Sequence, residues 1–341
     1  YKRQYTLRLL NLFTAPWRAR AGVVAILALI SIIVTSVWRV SLRIKYETWR
    51  IWHDVFSVII MGLALYHILN VNYYTAVPLQ RVLWIVMAVL WGSVLLYIRV
   101  IKPWTLLQRP YQVVEVIKER GKTWTLVIEP VGHEGLDFRA SQVAWLSIGH
   151  SPFLIKEHPF SFASSAEALG CLAFSIKELG DFTSGIGDLP VGTPVYVDGP
   201  YGTFDVFEHA STSYVFIAGG IGSAPIMSML RTLADRDFQG PVHFFYGNPS
   251  WEEIIFREEL EELEERLDLE VIHVLDNPPE GWEGETGFIN REVLERHTAC
   301  GDETCTYFIC GPLPMIEAME KALDAMGVPR QRVYSERYKM A

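Results

Sequence analysis

Residues 214–235 read YVFIAGGIGSAPIMSMLRTLAD, and the fold of the downstream half follows from them. YVFIAGG has the composition of a strand, and APIMSMLRTLAD the spacing of a helix. Between them lies the turn Ala218-Gly219-Gly220-Ile221-Gly222-Ser223-Ala224-Pro225. Glycines permit a tight turn and let backbone N–H groups approach a phosphate, and proline suits a first helical position. Gly219, Gly220, Gly222 and Pro225 are therefore candidate phosphate-binding positions. The turn lacks the complete G-x-G-x-x-G spacing, so taken alone it also fits a purely structural turn.

Downstream the alternation continues. VHFFYG (242–247) leads into the acidic WEEIIFREELEELEERL (251–267), read as one helix with a solvated face. LEVIHVLD, INREVLERH, CTYFICG and LPMIEAMEKALDAMG follow. Strands alternating with helices predict a parallel-sheet α/β domain over residues 211–341. Upstream, residues 108–208 hold short alternating strands: YQVVEVI, TWTLVIEP, SQVAWLSI, HPFSFAS, CLAFSIKEL and VYVDGP. ERGK, VGHEG and LPVGT separate them, which predicts an antiparallel β-barrel. Pro103 and Pro110 mark a break before it.

The first 104 residues are of another kind. AGVVAILALISIIVTSVW lies uncharged between Arg20 and Arg39, and VLWIVMAVLWGSVLLYI between Arg81 and Arg99. The interval 51–80 holds only Asp54 and two histidines as ionisable groups. Such runs rise about 26 Å, near the thickness of a bilayer core, and flanking arginines can snorkel. Three transmembrane α-helices are expected, at about 21–39, 51–71 and 82–101; buried helices of a soluble protein are the alternative. Arg39, Arg43, Lys45 and Arg50 after the first helix, and Arg99, Lys102 and Arg109 after the third, place that loop and the downstream domains in the cytoplasm. Lys2, Arg3, Arg8, Arg18 and Arg20 argue the other way. Trp38, Trp49, Trp52, Trp84, Trp91 and Trp104 read as an interfacial belt. The chain opens at Tyr1 rather than Met, from which it is expected to begin partway through a longer protein.

Over the whole 341 residues, 50% are hydrophobic and 20% charged, against about 25% charge in soluble domains. That leaves ample apolar mass for a core and rules out intrinsic disorder. A net charge of −9 argues against a nucleic-acid partner. Four cysteines form no disulfide framework, and the spacing of Cys300, Cys305 and Cys310 fails the plant-type iron–sulfur pattern.

His53 and His67 stand 14 residues apart on the second membrane helix. Their axial separation is about 21 Å and their angular offset about 40°, so both imidazoles face one way. Ionisable groups within a span are costly, and imidazole is a common axial ligand of haem iron. Ordinary hydrogen bonding within the bundle is the other possibility.

The stretch TSVWRVSLRIKYETWRIWHDVFSVIIMGLALYHIL resembles the fourth and fifth helices of the ferric reductase and NADPH oxidase superfamily. That resemblance implies two stacked b-type haems, His53 serving the inner and His67 the outer. It also implies that the first three helices of the family are missing, so that those helices or another subunit must complete the ligation. HPFSFASS (158–165) resembles the flavin segment of the ferredoxin reductase family, which implies FAD binding by His158, Pro159, Phe160, Ser161 and Ser164. KELGDFT (177–183) resembles the family's turn for the flavin pyrophosphate, implicating Lys177, Gly180, Asp181 and Thr183. DGPYGTF (198–204) matches the segment closing the barrel, and ICGPLPMI (309–316) the nicotinamide end, with Cys310, Gly311 and Pro312. In VYSERYKMA the resemblance makes Tyr338 the aromatic that stacks on the flavin, with Glu336 near the site. The four motifs in order over some 160 residues are far more specific than any one alone.

Together these imply an integral plasma (inner) membrane oxidoreductase. NADPH or NADH would reduce FAD, which can divide a two-electron donor into single-electron steps, and two b haems would carry the electrons to an extracytoplasmic acceptor, oxygen or a ferric chelate. For the donor, Pro249 with Glu252 and Glu253 favours NADH, although Arg231 or Arg257 could reach a 2′-phosphate. A membrane-anchored flavin reductase serving a partner protein, and a non-enzymatic redox-sensing scaffold, are the rival readings.

Overall fold

The computed structural model describes residues 14–71, 73, 75–168, 170–298 and 305–337. The chain divides into two compact units: Tyr1–Thr105 with Pro152–Lys156, and Leu106–Ser151 with Glu157–Ala341.

The first unit is helical. α1 (Trp17–Val37), α2 (Tyr46–Val71) and α3 (Pro78–Leu96) carry the apolar runs; a π-helical turn (Tyr97–Ile101) and the short α4 (Lys102–Leu107) extend the third. Three spans among the described residues are long and apolar enough to cross a membrane. Each begins a few residues before its expected start, because flanking charged residues such as Arg18 and Arg50 join the helix rather than end it. α1 and α2 pack as a hairpin on a stripe of small residues, with Ala21, Ala25 and Ala28 buried along α1. Small side chains let two backbones approach closely where lipid offers no hydrophobic drive. The tryptophans do not all form a belt. Trp38, Trp52 and Trp104 are exposed, but the indole nitrogen of Trp49 is buried inside this unit.

The second unit holds two six-stranded sheets. In the first, antiparallel, the strands are β1 (Tyr111–Lys118), β2 (Thr123–Pro130), β3 (Val143–Ile148), β4 (His158–Ser161), β5 (Leu172–Lys177) and β6 (Pro194–Tyr201). Their spatial order is β4-β3-β6-β1-β2-β5. The sheet curls until the residues after β4 meet β5, where Ala163 N–H donates to the Ala173 carbonyl at 2.8 Å. Val113, Leu126, Ile128, Leu146, Phe162, Phe174 and Val195 fill its interior.

The other sheet is parallel, in the order β10-β9-β8-β7-β11-β12. It comprises β7 (Ser213–Gly219), β8 (Val242–Asn248), β9 (Leu269–Leu275), β10 (Glu285–Thr286), β11 (Cys305–Gly311) and β12 (Val333–Arg337). Both faces are covered. Tyr214, Phe216 and Ala218 of β7 pack with α5 (Ser223–Asp235). Val215 and Ile217 pack on the opposite side with α7 (Arg291–His297) and α8 (Leu313–Ala325). A fully buried ring such as Phe216 or Phe244 contributes about 2–3 kcal/mol.

One sequence expectation is corrected by the structure. The acidic stretch 251–267 is not one solvated helix. A 3₁₀ turn (Trp251–Glu253) and the buried Ile254, Ile255 and Phe256 precede α6 (Arg257–Arg266), which itself buries Leu260 and Leu263. The abundance of glutamate hid an apolar anchor whose residues are not helically spaced. VYSER, to which no element was assigned from the sequence, forms β12, paired parallel to β11.

Candidate functional site

The parallel sheet reverses its strand order between β7 and β11. Chain order runs outward from β7 through β8, β9 and β10 on one side, then jumps to β11 and β12 on the other. Crossovers on opposite sides of such a point leave a crevice at the carboxyl ends of the two strands, where ligands bind in open α/β sheets. Both glycine motifs end there. β7 delivers Gly219, Gly220 and Gly222; β11 delivers Cys310, Gly311 and Pro312, with Cys310 in register beside Ala218.

Their contacts explain the glycines. A Cβ on Gly222 would strike the Cys310 carbonyl and lie 3.0 Å from Gly311 Cα. A Cβ on Gly219 would lie 2.8 Å from Met315 Sδ and 3.1 Å from Pro312 Cδ. Gly220 has φ +53° with open space around its missing Cβ, so its conformation rather than crowding calls for glycine. Pro225 is buried in the first turn of α5.

Cys310 is fully buried, and its side chain belongs to the core beneath α5. In β12, Glu336 stands in register beside Cys310, and burial pushes its carboxyl above the usual range. Tyr338 lies outside the described residues.

In the curled sheet, β4 carries His158, Pro159, Phe160 and Ser161; Ser161 and Ser164 are buried. The His158 ring stacks on Phe182 at 3.8 Å, and Phe160 lies nearly parallel to Phe182 at 6.2 Å. Phe182 is a member of this aromatic group that motif reading passed over, although it sits inside KELGDFT. Ser164 Oγ accepts the Ala173 amide at 3.1 Å. Thr183 Oγ1 accepts the amides of Leu179 and Gly180 at 2.8 and 3.0 Å, and can donate to the Gly180 carbonyl at 3.1 Å. Its hydroxyl thus shapes the turn that also holds Asp181. Lys177 Nζ lies 3.5 Å from Glu253, beyond β8.

The two sheets are joined through polar groups of α5 that sequence reading missed. Ser228 Oγ donates to the Ser164 carbonyl at 2.7 Å and accepts the Ser141 amide at 3.0 Å. Thr232 Oγ1 accepts the Ala166 amide at 2.9 Å. Arg231 makes a two-pronged ion pair with Glu259 at 2.6 and 2.5 Å and bonds the Ala163 carbonyl at 2.5 Å. Polar residues at 228 and 232 amid the buried apolar residues of this helix were the available signal, since i and i+4 share a face.

At the carboxyl end of β8, Arg257 lies over the Trp251 ring at 4.3 Å. Trp251 in turn meets His273 edge-on at 5.5 Å. Burial, with Arg257 adding to it, lowers His273 to about 4. Among the described residues no group of three or more His, Cys, Asp or Glu side chains could hold a metal ion.

In the helical unit, His53 and His67 both lie on the single continuous helix α2. The His67 ring sits against Gly22 of α1, and its Nδ1 is 2.6 Å from the Arg18 carbonyl. His53 Nδ1 and Trp49 Nε1 are buried without hydrogen-bond partners, their rings 5.1 Å apart. Buried unpaired nitrogens are uncommon and call for an explanation.

Two family models match the chain: the ferric reductase like transmembrane component over residues 3–64 and the oxidoreductase NAD-binding domain over residues 216–321. The architecture is of the ferric reductase/NADPH oxidase type. The propane 2-monooxygenase reductase component of Rhodococcus jostii is 30% identical over 223 residues, 63% of this chain and 59% of that protein. NADH-cytochrome b5 reductase 1 of Lodderomyces elongisporus is 33% identical over 168 residues, 48% of this chain and 56% of that protein. The chain thus spans somewhat over half the length of these curated relatives. Among solved structures, the flavohem-like FAD/NAD binding domain of Vibrio cholerae nitric oxide dioxygenase superposes with a TM-score of 0.59 at 20% identity, covering 67% of this chain and 98% of that one. This last likeness shows the fold alone. Together the comparisons support a membrane-linked NAD(P)H oxidoreductase that binds FAD.

Proposed function

We propose that the chain draws electrons from cytoplasmic NAD(P)H, passes them through FAD, and delivers them through two b haems to an extracytoplasmic acceptor, oxygen or a ferric chelate. The observation that carries this reading is the meeting of residues 219–222 with residues 310–312 at the switch point of the parallel sheet, in a chain that also carries three membrane-length helices. FAD supplies the conversion of a two-electron donor into single-electron steps.

The chain's own residues divide the work. Gly219, Gly220 and Gly222 bring backbone N–H groups to the nucleotide pyrophosphate, and Pro225 stiffens the first turn of the helix whose positive end faces it. Cys310, Gly311 and Pro312 wall the nicotinamide end; the half-buried Glu336 keeps its carboxyl proton to higher pH than an exposed glutamate. His158, Pro159, Phe160, Ser161 and Ser164 flank the flavin ring, with Phe182 extending the aromatic group. Lys177, Gly180, Asp181 and Thr183 hold the flavin pyrophosphate.

His53 and His67 fit axial ligation on one observation each: a buried unpaired ring nitrogen at His53, and a Nδ1 tied to a carbonyl at His67, which leaves Nε2 for a metal. The opposing ligands would have to come from further helices or from another subunit. NADH is the preferred donor. Arg231 is committed to Glu259 and the Ala163 carbonyl, and Arg257 to the Trp251 face, so neither stands ready for a 2′-phosphate.

A visible spectrum of the detergent-purified protein, before and after anaerobic addition of NADH, tests the reading. Flavin bleaching together with sharp reduced b-haem bands is the expected result. Bleaching with no haem bands favours the second reading, a membrane-anchored flavin reductase serving a partner protein. That reading draws on the matched relatives, one of which is named as a reductase component.

A further inference from the structure

The contact between His67 and α1 has a consequence for the tautomer of its ring. A backbone carbonyl can only accept a hydrogen bond. At 2.6 Å from the Arg18 carbonyl, His67 Nδ1 is therefore the protonated nitrogen, and Nε2 carries the free lone pair. That is the arrangement a metal-bound histidine takes when its second nitrogen is anchored to a carbonyl.

The approach is possible only because residue 22 is glycine. A Cβ there would lie 2.7 Å from Nδ1, 2.8 Å from Cε1 and 3.0 Å from Cγ of His67. The two features lie on one helical turn. In an α-helix the carbonyl of residue 18 faces the amide of residue 22, so the bare Cα of Gly22 and the Arg18 acceptor share one edge of α1. Burial of Ala21 and Ala25 beside them keeps the helices close enough for the bond.

We infer that the first two turns of α1 form the positioning element of the His67 ligand: Gly22 clears the space, and the Arg18 carbonyl fixes the ring with Nε2 left free for haem iron. This rests on the haem route proposed above. His53 is held differently, since its Nδ1 has no partner and its ring lies against Trp49. The two haem sites are therefore unequal, and a change at Gly22 acts on one of them.

The test compares Gly22→Val with Ala28→Val, which enlarges another buried small residue of the same helix. Both are made in the complete protein, purified in detergent, with haem and flavin content, low-spin haem electron paramagnetic resonance and redox titration as readouts. In Gly22→Val one of the two low-spin signals is expected to be lost or shifted, with haem retention at that site falling about 10–100-fold. His67→Ala removes the same signal. The other haem and the NADH bleaching of the flavin persist, and Ala28→Val leaves both signals in place. The positioning role is overturned if Gly22→Val leaves both signals and both potentials as in the wild type, or if Ala28→Val disturbs the same signal equally. A wild type that binds no haem overturns the haem route itself, which separates the two failures.

Discussion

Gly22 on α1 and Gly222 after β7 are glycines of opposite kinds. Each leaves room for an atom that a Cβ would strike, but at Gly22 that atom belongs to the imidazole of His67 and at Gly222 to the backbone of Cys310. A side chain can turn aside; a strand backbone held in a six-stranded sheet cannot. The treatment of polar groups differs likewise. In the helical unit the buried nitrogens of His53 and Trp49 go unpaired, whereas in the seam between the sheets Ser228 and Thr232 are fully engaged. Crowding in the first region thus guards a ligand, and crowding in the second guards the fold of the nucleotide site.

Gly222→Ala should produce the largest effect. Overpacking against unyielding backbone typically costs about 1–3 kcal/mol and can exceed it. Here it also displaces the turn, so NADH bleaching of the flavin should be lost while FAD content persists. Retained bleaching would show that β11 gives way as readily as a side chain, and the contrast with Gly22 would collapse.

Next is His273, whose Nδ1 is buried and unpaired in the unit of the two sheets as that of His53 is in the helical one. Its folded value of about 4 lies below the ordinary 6.5, so the unfolded chain binds the proton first on acidification. Its contribution is complete above pH 6.5 and is lost as pH falls toward 4, by about 3 kcal/mol in all. Denaturant titrations from pH 7 to 4 should show this loss in the wild type and a smaller one in His273→Gln. Equal pH slopes would mean that the imidazole reaches water.

Ser228→Ala tests the engaged side of the comparison. It strands the Ser141 amide and the Ser164 carbonyl, at about 2 kcal/mol. The urea midpoint should drop, and an unchanged midpoint would show that the seam carries no stability.

The smallest effect is expected at Glu336. Its carboxyl is raised by burial, so the folded chain keeps a proton that the unfolded chain releases above about pH 4.5. Stability from this group is greatest in acid and declines as pH rises through the folded value. Glu336→Gln should flatten that decline without lowering stability at pH 7; a clear loss at pH 7 would mean that the charged carboxylate has a partner.

Much of the architecture was legible from pattern alone, because each signal is local. Two uncharged runs between arginines mark membrane helices, and strand–turn–helix at 214–235 marks a parallel sheet. The acidic segment misled because Ile254, Ile255 and Phe256 anchor it through consecutive buried residues, a pattern with no helical period. The 5-residue pairing of β12 with β11 was equally hidden, since Val333–Arg337 alternates too weakly to distinguish an edge strand from a tail.

The sequence by itself determined the order of helices, curled sheet and parallel sheet, the glycine turn, and the 14-residue spacing of His53 and His67, since all of these are periodicities along one chain. Only the tertiary structure decided which distant segments share a site. It brought Cys310 against Gly222, tied Ser228 to Ser141 and Ser164, and seated His67 on Gly22 with its Nδ1 on the Arg18 carbonyl. Those contacts follow from how helices and sheets pack at atomic distance, and neither residue type nor spacing encodes the identity of the neighbouring atom.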